Sequence, residues 1–163
     1  MPEPTAAAHI DQVASPDKLN SPPEVVLGFD FGTKRIGVAV GNGLTGTAQA
    51  LTTLHHENAP DWQALTQLIK EWQPQALVVG MPVTQDGSDQ KMTGLTRAFI
   101  QKLETQFSLP VYASDERFSS IEAEVRLRQQ RASGARKRRV QASDTDAVAA
   151  QIILESWLAE QPL

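Results

Sequence analysis

Apolar residues gather first at Val25-Val26-Leu27-Gly28-Phe29-Asp30-Phe31, a run of strand length that ends in a carboxylate and the turn Gly32-Thr33-Lys34. Ile36 to Val40 follows at once, so these two strands form a hairpin. After the turn region Gly41 to Gly46, a third strand is predicted over Thr47 to Leu54, where polar and apolar positions mix. Three strands joined by short turns make an antiparallel meander. From Asp61 the period changes: Trp62, Leu65, Leu68, Ile69 and Trp72 recur at three and four residues, the apolar face of an amphipathic helix that Pro74 terminates. Ala76 to Gly80 is short and wholly apolar, the pattern of a central parallel strand covered on both faces.

The stretch Met81 to Lys91 carries Pro82, Asp86-Gly87 and Ser88 and reads as a loop. Met92, Leu95, Phe99, Leu103 and Phe107 mark a second helix, and Pro110 to Ser114 a fifth strand that ends in Asp115-Glu116-Arg117. Ser119-Ser120-Ile121-Glu122 fits a capping box for a helix running to about Arg131. Residues 131–142 are basic and small and read as a mobile loop. A last helix from Ser143 shows Ala147, Ala150, Ile153, Leu154 and Trp157 on one face. This order of elements predicts a mixed sheet flanked by helices, an α/β domain.

Composition narrows the chemistry. A chain of 163 residues has room for one domain with a real core. Residues 1–23 hold five of the ten prolines and show neither period, so they read as a disordered leader ahead of a folded domain over 24–163. The leader lacks the basic and apolar regions of a secretory signal, and no 18-residue apolar stretch occurs anywhere, so a cytoplasmic protein is expected. The absence of cysteine excludes disulfides, a thiolate zinc site and a cysteine nucleophile. The net charge of −4 argues against a nucleic-acid partner only until its distribution is seen. Seven cations and no acid fall within 126–139 (Arg126, Arg128, Arg131, Arg136, Lys137, Arg138, Arg139), leaving eight cations against nineteen acids elsewhere. Such a run is usually a solvated segment. Here it lies directly between two candidate metal-site acids, where a phosphate-rich strand would meet it.

Three acidic sites sit at ends of elements that converge on one edge of the sheet. Asp30 shares a strand face with Gly28 and Gly32, while Phe29 and Phe31 point the other way. A carboxylate in an apolar central strand is costly unless it is paired or binds a cation; the plainer alternative is that it caps the turn at Gly32-Thr33. Asp115-Glu116 closes the fifth strand, on the edge where open α/β sheets bind ligands, with a pair to Arg117 as the alternative. Asp144 and Asp146 begin the last helix, where Ser143 and Asp146 also fit a capping box, yet Asp146 lies on or beside the buried face four residues before Ala150. Oxygen ligands without thiolate suit Mg²⁺ or Mn²⁺ better than zinc, and a pair of such ions suits phosphodiester cleavage. His55-His56 reads as a surface feature.

The segments Asp30-Phe31-Gly32-Thr33-Lys34-Arg35-Ile36-Gly37-Val38-Ala39, Val78-Val79-Gly80-Met81-Pro82, Asp115-Glu116-Arg117-Phe118-Ser119-Ser120 and Asp146 to Glu155 resemble the YqgF family, also called RuvX, of Holliday-junction-resolvase-like proteins. The match spans about residues 24–160. The resemblance implies an RNase H-like fold with strand order 3-2-1-4-5 and a nuclease that matures the 5′ end of pre-16S ribosomal RNA. It also implies that Asp30, Glu116 and Asp146 are the catalytic, metal-binding carboxylates, with Asp144 outside the usual acidic position. RNase H-like nucleases commonly carry an acid at the end of the fourth strand; Val79-Gly80-Met81 has none, and the family places that carboxylate at Glu116.

The resulting expectation is Mg²⁺- or Mn²⁺-dependent hydrolysis of RNA. The arginines of 126–139 and Lys137 would bind the backbone, Lys34, Arg35 and Arg117 would contact phosphates, and the Met81 to Lys91 loop would border the substrate. The expected partners are precursor ribosomal RNA and ribosomal particles, with no membrane and no nucleotide cofactor. Three alternatives remain at this level. The fold serves resolvases of four-way DNA junctions. Asp30-x-Gly32-Thr33 also resembles the phosphate loop of sugar kinases and actin, though those proteins enclose ATP between two such domains. A noncatalytic RNA-binding ribosome-assembly factor would retain the acids without using them.

Overall fold

The computed structural model describes residues 23–57, 59–82, 90–115, 125–129 and 142–161. Its elements are β1 (Val26–Phe31), β2 (Arg35–Asn42), β3 (Thr47–His55), α1 (Trp62–Trp72), β4 (Ala76–Met81), α2 (Gln90–Phe107), β5 (Val111–Asp115) and α3 (Ala142–Ala159), with a further helical stretch over 125–129. The five strands form one sheet in the order β3-β2-β1-β4-β5. β1, β2 and β3 pair antiparallel, and β1, β4 and β5 pair parallel.

Two apolar layers follow from the period-2 alternation of the strands. Leu27, Phe29, Ile36, Val38, Leu77 and Val79 face α1 and α2 and pack against Leu65, Phe99 and Leu103. Val26, Ala39, Ala76, Val78 and Tyr112 face the opposite way, toward Ala150, Ile153, Leu154 and Trp157 of α3. β1 and β4 are therefore covered on both sides, which is why each reads as an unbroken apolar run. β3 lies at the edge and is largely half-buried or exposed, which accounts for its mixed pattern.

Local signals set the ends of α1. The Asp61 side chain accepts a hydrogen bond from the Ala64 amide at 3.1 Å, capping the first turn. At the other end Gln73 turns left-handed (φ 47°) and its N–H bonds to Ile69 O at 2.9 Å. The helix thus stops at Trp72, and Gln73, the residue before Pro74, where the helical conformation is disfavoured, is its left-handed cap. α3 begins at Ala142, one residue earlier than expected, so Ser143 lies inside its first turn rather than ahead of it. All of the leader over residues 1–23 except Pro23, the centre of the Met81 to Lys91 loop, the capping box at Ser119 and most of the basic run fall outside the described residues.

Candidate active site

β1 brings Asp30 to the end of the sheet on the α3 face, as its alternation requires: Val26 packs against α3, and a Cβ on Gly28 would stand 3.0 Å from Leu154 Cβ. Directly across the hairpin, Asp30 is the register partner of Gly37. Among the described glycines, Gly37 is the one the backbone of α3 crowds most closely. A Cβ there would lie 1.9 Å from the Asp146 carbonyl oxygen and 2.9 Å from the Ala147 amide nitrogen. No other residue type permits this approach. Asp30 and Asp146, separated by more than a hundred residues in sequence, thereby meet on one face at one edge of the sheet.

The same level of the sheet continues through small residues. β1 pairs with β4 as far as Phe29 with Val79, and β4 pairs with β5 through Gly80 with Ser114 and Met81 with Asp115. Gly80 and the buried Ser114 therefore extend the row on which Asp30 stands, so the positions beside it on β4 and β5 carry no bulky side chain. β5 delivers the chain to this edge at Asp115, and Glu116, the next residue in sequence, lies outside the described residues.

Arg35 opens β2 beside this edge and donates from Nε to Asp146 Oδ2. The side chains are 39% and 21% exposed, so water screens the pair only in part. The Asp146 side chain thus has a cationic partner in the folded chain, and Arg35 is held at the site rather than extended into solvent. The turn between β1 and β2 is closed by the Gly32 N–H bonding to Arg35 O at 2.9 Å, and Lys34 at its tip is exposed.

The remaining basic residues divide. Arg126 donates from Nη1 to Glu155 Oε1 at 3.0 Å, and Gln151 bridges Glu155 (3.2 Å) to the Ala48 carbonyl (3.1 Å). Leu127 is buried against Val148, Ala149 and Ile152, so the stretch 125–129 is pinned to α3. Arg128 is exposed. Arg117, Arg131, Arg136, Lys137, Arg138 and Arg139 fall outside the described residues, as does the Asp144 side chain. Among the described residues no three carboxylate or imidazole groups cluster, so two of the three expected carboxylates are seen at the edge and the third is not described. The donors present are hard oxygens in a chain without cysteine, which fits Mg²⁺ or Mn²⁺.

One feature escapes the sequence pattern. His56 is half-buried, not a surface residue: its ring lies nearly parallel to Phe31 (centroids 6.4 Å, 21°), and its buried Nδ1 has no hydrogen-bond partner among the described residues. A side chain following a strand with no apolar period of its own gave no signal of this.

The RuvX Holliday junction resolvase family profile matches residues 24–160. A "Putative pre-16S rRNA nuclease" of Azotobacter vinelandii is 46% identical over 144 residues, covering 87% of this chain and 98% of that protein. A protein of the same name from Xanthomonas campestris pv. campestris is 48% identical over 139 residues, covering 85% and 89%. In fold, the chain is similar to Thermus thermophilus RuvC in complex with a Holliday junction substrate (TM-score 0.53, 17% identity, 82% of this chain and 93% of that one). It is also similar to the yeast mitochondrial Holliday junction resolvase (TM-score 0.52, 12% identity, 98% and 87%). With a sheet of order β3-β2-β1-β4-β5 flanked by helices, the RNase H-like architecture of those resolvases, and with relatives this close, the chain belongs to the RuvX family.

Proposed function

We propose that this chain is a metal-dependent nuclease that hydrolyses phosphodiester bonds of RNA, and that its substrate is precursor 16S ribosomal RNA, free or in a ribosomal particle. The reading is supported above all by the meeting of Asp30 and Asp146 over Gly37. The names of the close relatives support the substrate. No described helix is long and apolar enough to cross a membrane, and a cytoplasmic location accords with a ribosomal substrate.

Asp30, Glu116 and Asp146 would hold Mg²⁺ or Mn²⁺ through carboxylate oxygens. When bound, the ion supplies Lewis acidity: it lowers the pKa of water and offsets charge on the leaving oxygen. The protein's own task is positioning. The strand fixes Asp30, and the Gly37 contact fixes the backbone that carries Asp146. Arg35 engages Asp146 through Nε, and its terminal nitrogens would be the donors to a phosphate oxygen. Lys34, the exposed Arg128 and the further cations of the run to Arg139 would attract the backbone. In the reaction, the water gives up a proton as its oxygen bonds to phosphorus, the bond to one ribose oxygen breaks, and that leaving oxygen takes up a proton.

The test uses purified protein with Mg²⁺ or Mn²⁺ against precursor ribosomal RNA, linear DNA and a four-way DNA junction, beside Asp30→Asn. The expected result is cleavage of the RNA, lost by about 10³-fold or more in the variant, whose melting temperature stays near that of the parent. Equal cleavage by both proteins would remove Asp30 from the site, and selective cleavage of the junction would replace the substrate.

A further inference from the structure

On the far side of β1 from Asp30, the ends of β1 and β3 and the two helices α1 and α2 border an open cavity of about 400 Å³. Its walls are aromatic. Phe31 stacks on Phe99 (4.7 Å, 24°), Phe99 meets Trp62 (5.7 Å, 41°), and His56 lies over Phe31. The rim is polar and mostly exposed: Lys102 Nζ sits 5.1 Å from the centre of the Trp62 ring, and Thr33 and Glu57 also line the opening. We propose that this cavity receives one unstacked nucleobase of the RNA whose backbone lies at the Asp30 edge. The inference rests on the nuclease reading above and adds a base subsite to it.

Three observations lead to a base rather than another ligand. The first is position: Phe31 is the residue next to Asp30, and alternation places the two side chains on opposite faces of the same strand end. The tip Gly32-Thr33-Lys34 is the ridge between them, and it contributes Thr33 to the cavity and the exposed Lys34 to the path. A strand crossing that ridge sets a phosphate on one side and its neighbouring base on the other. The second is chemistry. Single-stranded RNA is bound by stacking splayed bases on aromatic faces, with cations tracking the phosphates. The cavity supplies several aromatic rings beside Lys102, and Glu57 offers an acceptor to an exocyclic amino group. The third is that the space stands open to solvent. Leu95 remains 39% exposed at its mouth and Ala98, also exposed, leaves it open from α2.

The test fills the cavity from outside the core. Ala98→Trp and Leu95→Trp each put an indole at the mouth from an exposed helical position. A set of short oligoribonucleotides, each carrying 2-aminopurine at a different position, is titrated with the parent protein in Ca²⁺. One position is expected to show saturable fluorescence quenching, and both variants should lose it while binding the oligonucleotide roughly 5- to 100-fold more weakly. Removing the base at that one position should weaken binding to the parent by a similar factor and to the variants hardly at all. Asp30→Asn should keep the quenching, because the cavity is on the other face. Cleavage in Mg²⁺ that proceeds with no position quenched, or with quenching equal in parent and both variants, overturns the base subsite and leaves the nuclease reading intact. Quenching without cleavage keeps the subsite and removes the nuclease. Failure of the parent to bind any of the oligonucleotides overturns both.

Discussion

Gly37 holds the candidate site together through what it lacks. A methyl group 1.9 Å from the Asp146 carbonyl cannot be absorbed by a rotamer change, because the atom it meets is backbone. Gly37→Ala must therefore lift the start of α3 from β2. We expect a loss of about 1–3 kcal/mol in chemical denaturation, with cleavage lost by more than that destabilisation explains, since Asp146 moves away from Asp30. Gly94→Ala is the counterpart. Nothing lies within 4 Å of a Cβ there and α2 is exposed at that point, so a gain of about 0.5–1 kcal/mol is expected. A Gly37→Ala protein with the stability and activity of its parent would show that the approach is looser than described. At this scale the sequence was legible for Asp30, whose face follows from alternation alone. It brought Asp146 to the same edge but was mute about the contact over Gly37, because that depends on a register across a hairpin and on an approach between the two ends of the domain.

At the scale of elements, the amphipathic faces of α1 and α3 and the doubly covered β1 and β4 were readable because burial on a known number of sides leaves a period in the chain. The aromatic cavity was not. Phe31, His56, Trp62 and Phe99 come from four separate places, and Trp62 and Phe99 carry the same helical spacing whether they fill a core or wall a cavity. The packing of α3 against the far strand is testable through one ring pair. Tyr112 of β5 is buried and stacks on Trp157 of α3 (5.3 Å, 26°), and burial raises its hydroxyl above its ordinary pKa. A phenol whose folded pKa exceeds its unfolded value contributes stability that is fully present below about pH 10 and is lost as pH rises through the folded value. Thermal melts from pH 8 to 11 should thus fall more steeply for the parent than for Tyr112→Phe, by up to about 1.4 kcal/mol per pH unit above pH 10. Parallel curves for the two proteins would mean that the hydroxyl is no better shielded in the folded chain than in the unfolded one.

Across the whole molecule, charge is segregated rather than balanced. The run 126–139 holds seven cations and no acid, in a chain whose remainder has eight cations and nineteen acids. The structure refines which of the seven are available to a substrate. Arg126 is engaged by Glu155, and buried Leu127 pins that end of the run to α3, the helix that carries Asp146. The start of the run is therefore held on α3, and its cations beyond Arg126 are the ones expected to neutralise phosphates. Each phosphate neutralised on a single strand contributes about 0.7 to the slope of log K against log salt. Replacing Arg136, Lys137, Arg138 and Arg139 together by Gln should then lower that slope by up to about 3, and weaken RNA binding evenly across sequences. Arg126→Gln should leave the slope almost unchanged and cost at most about 1 kcal/mol of stability, the range of a partly exposed pair. Fluorescence anisotropy of a labelled oligoribonucleotide over a range of salt concentrations measures both. If the quadruple variant kept the parental slope, the phosphates would have to be met elsewhere on a chain whose remaining surface is acidic, and the exposed Lys34 and Lys102 flanking the ridge at Gly32-Thr33 would be the next cations to replace.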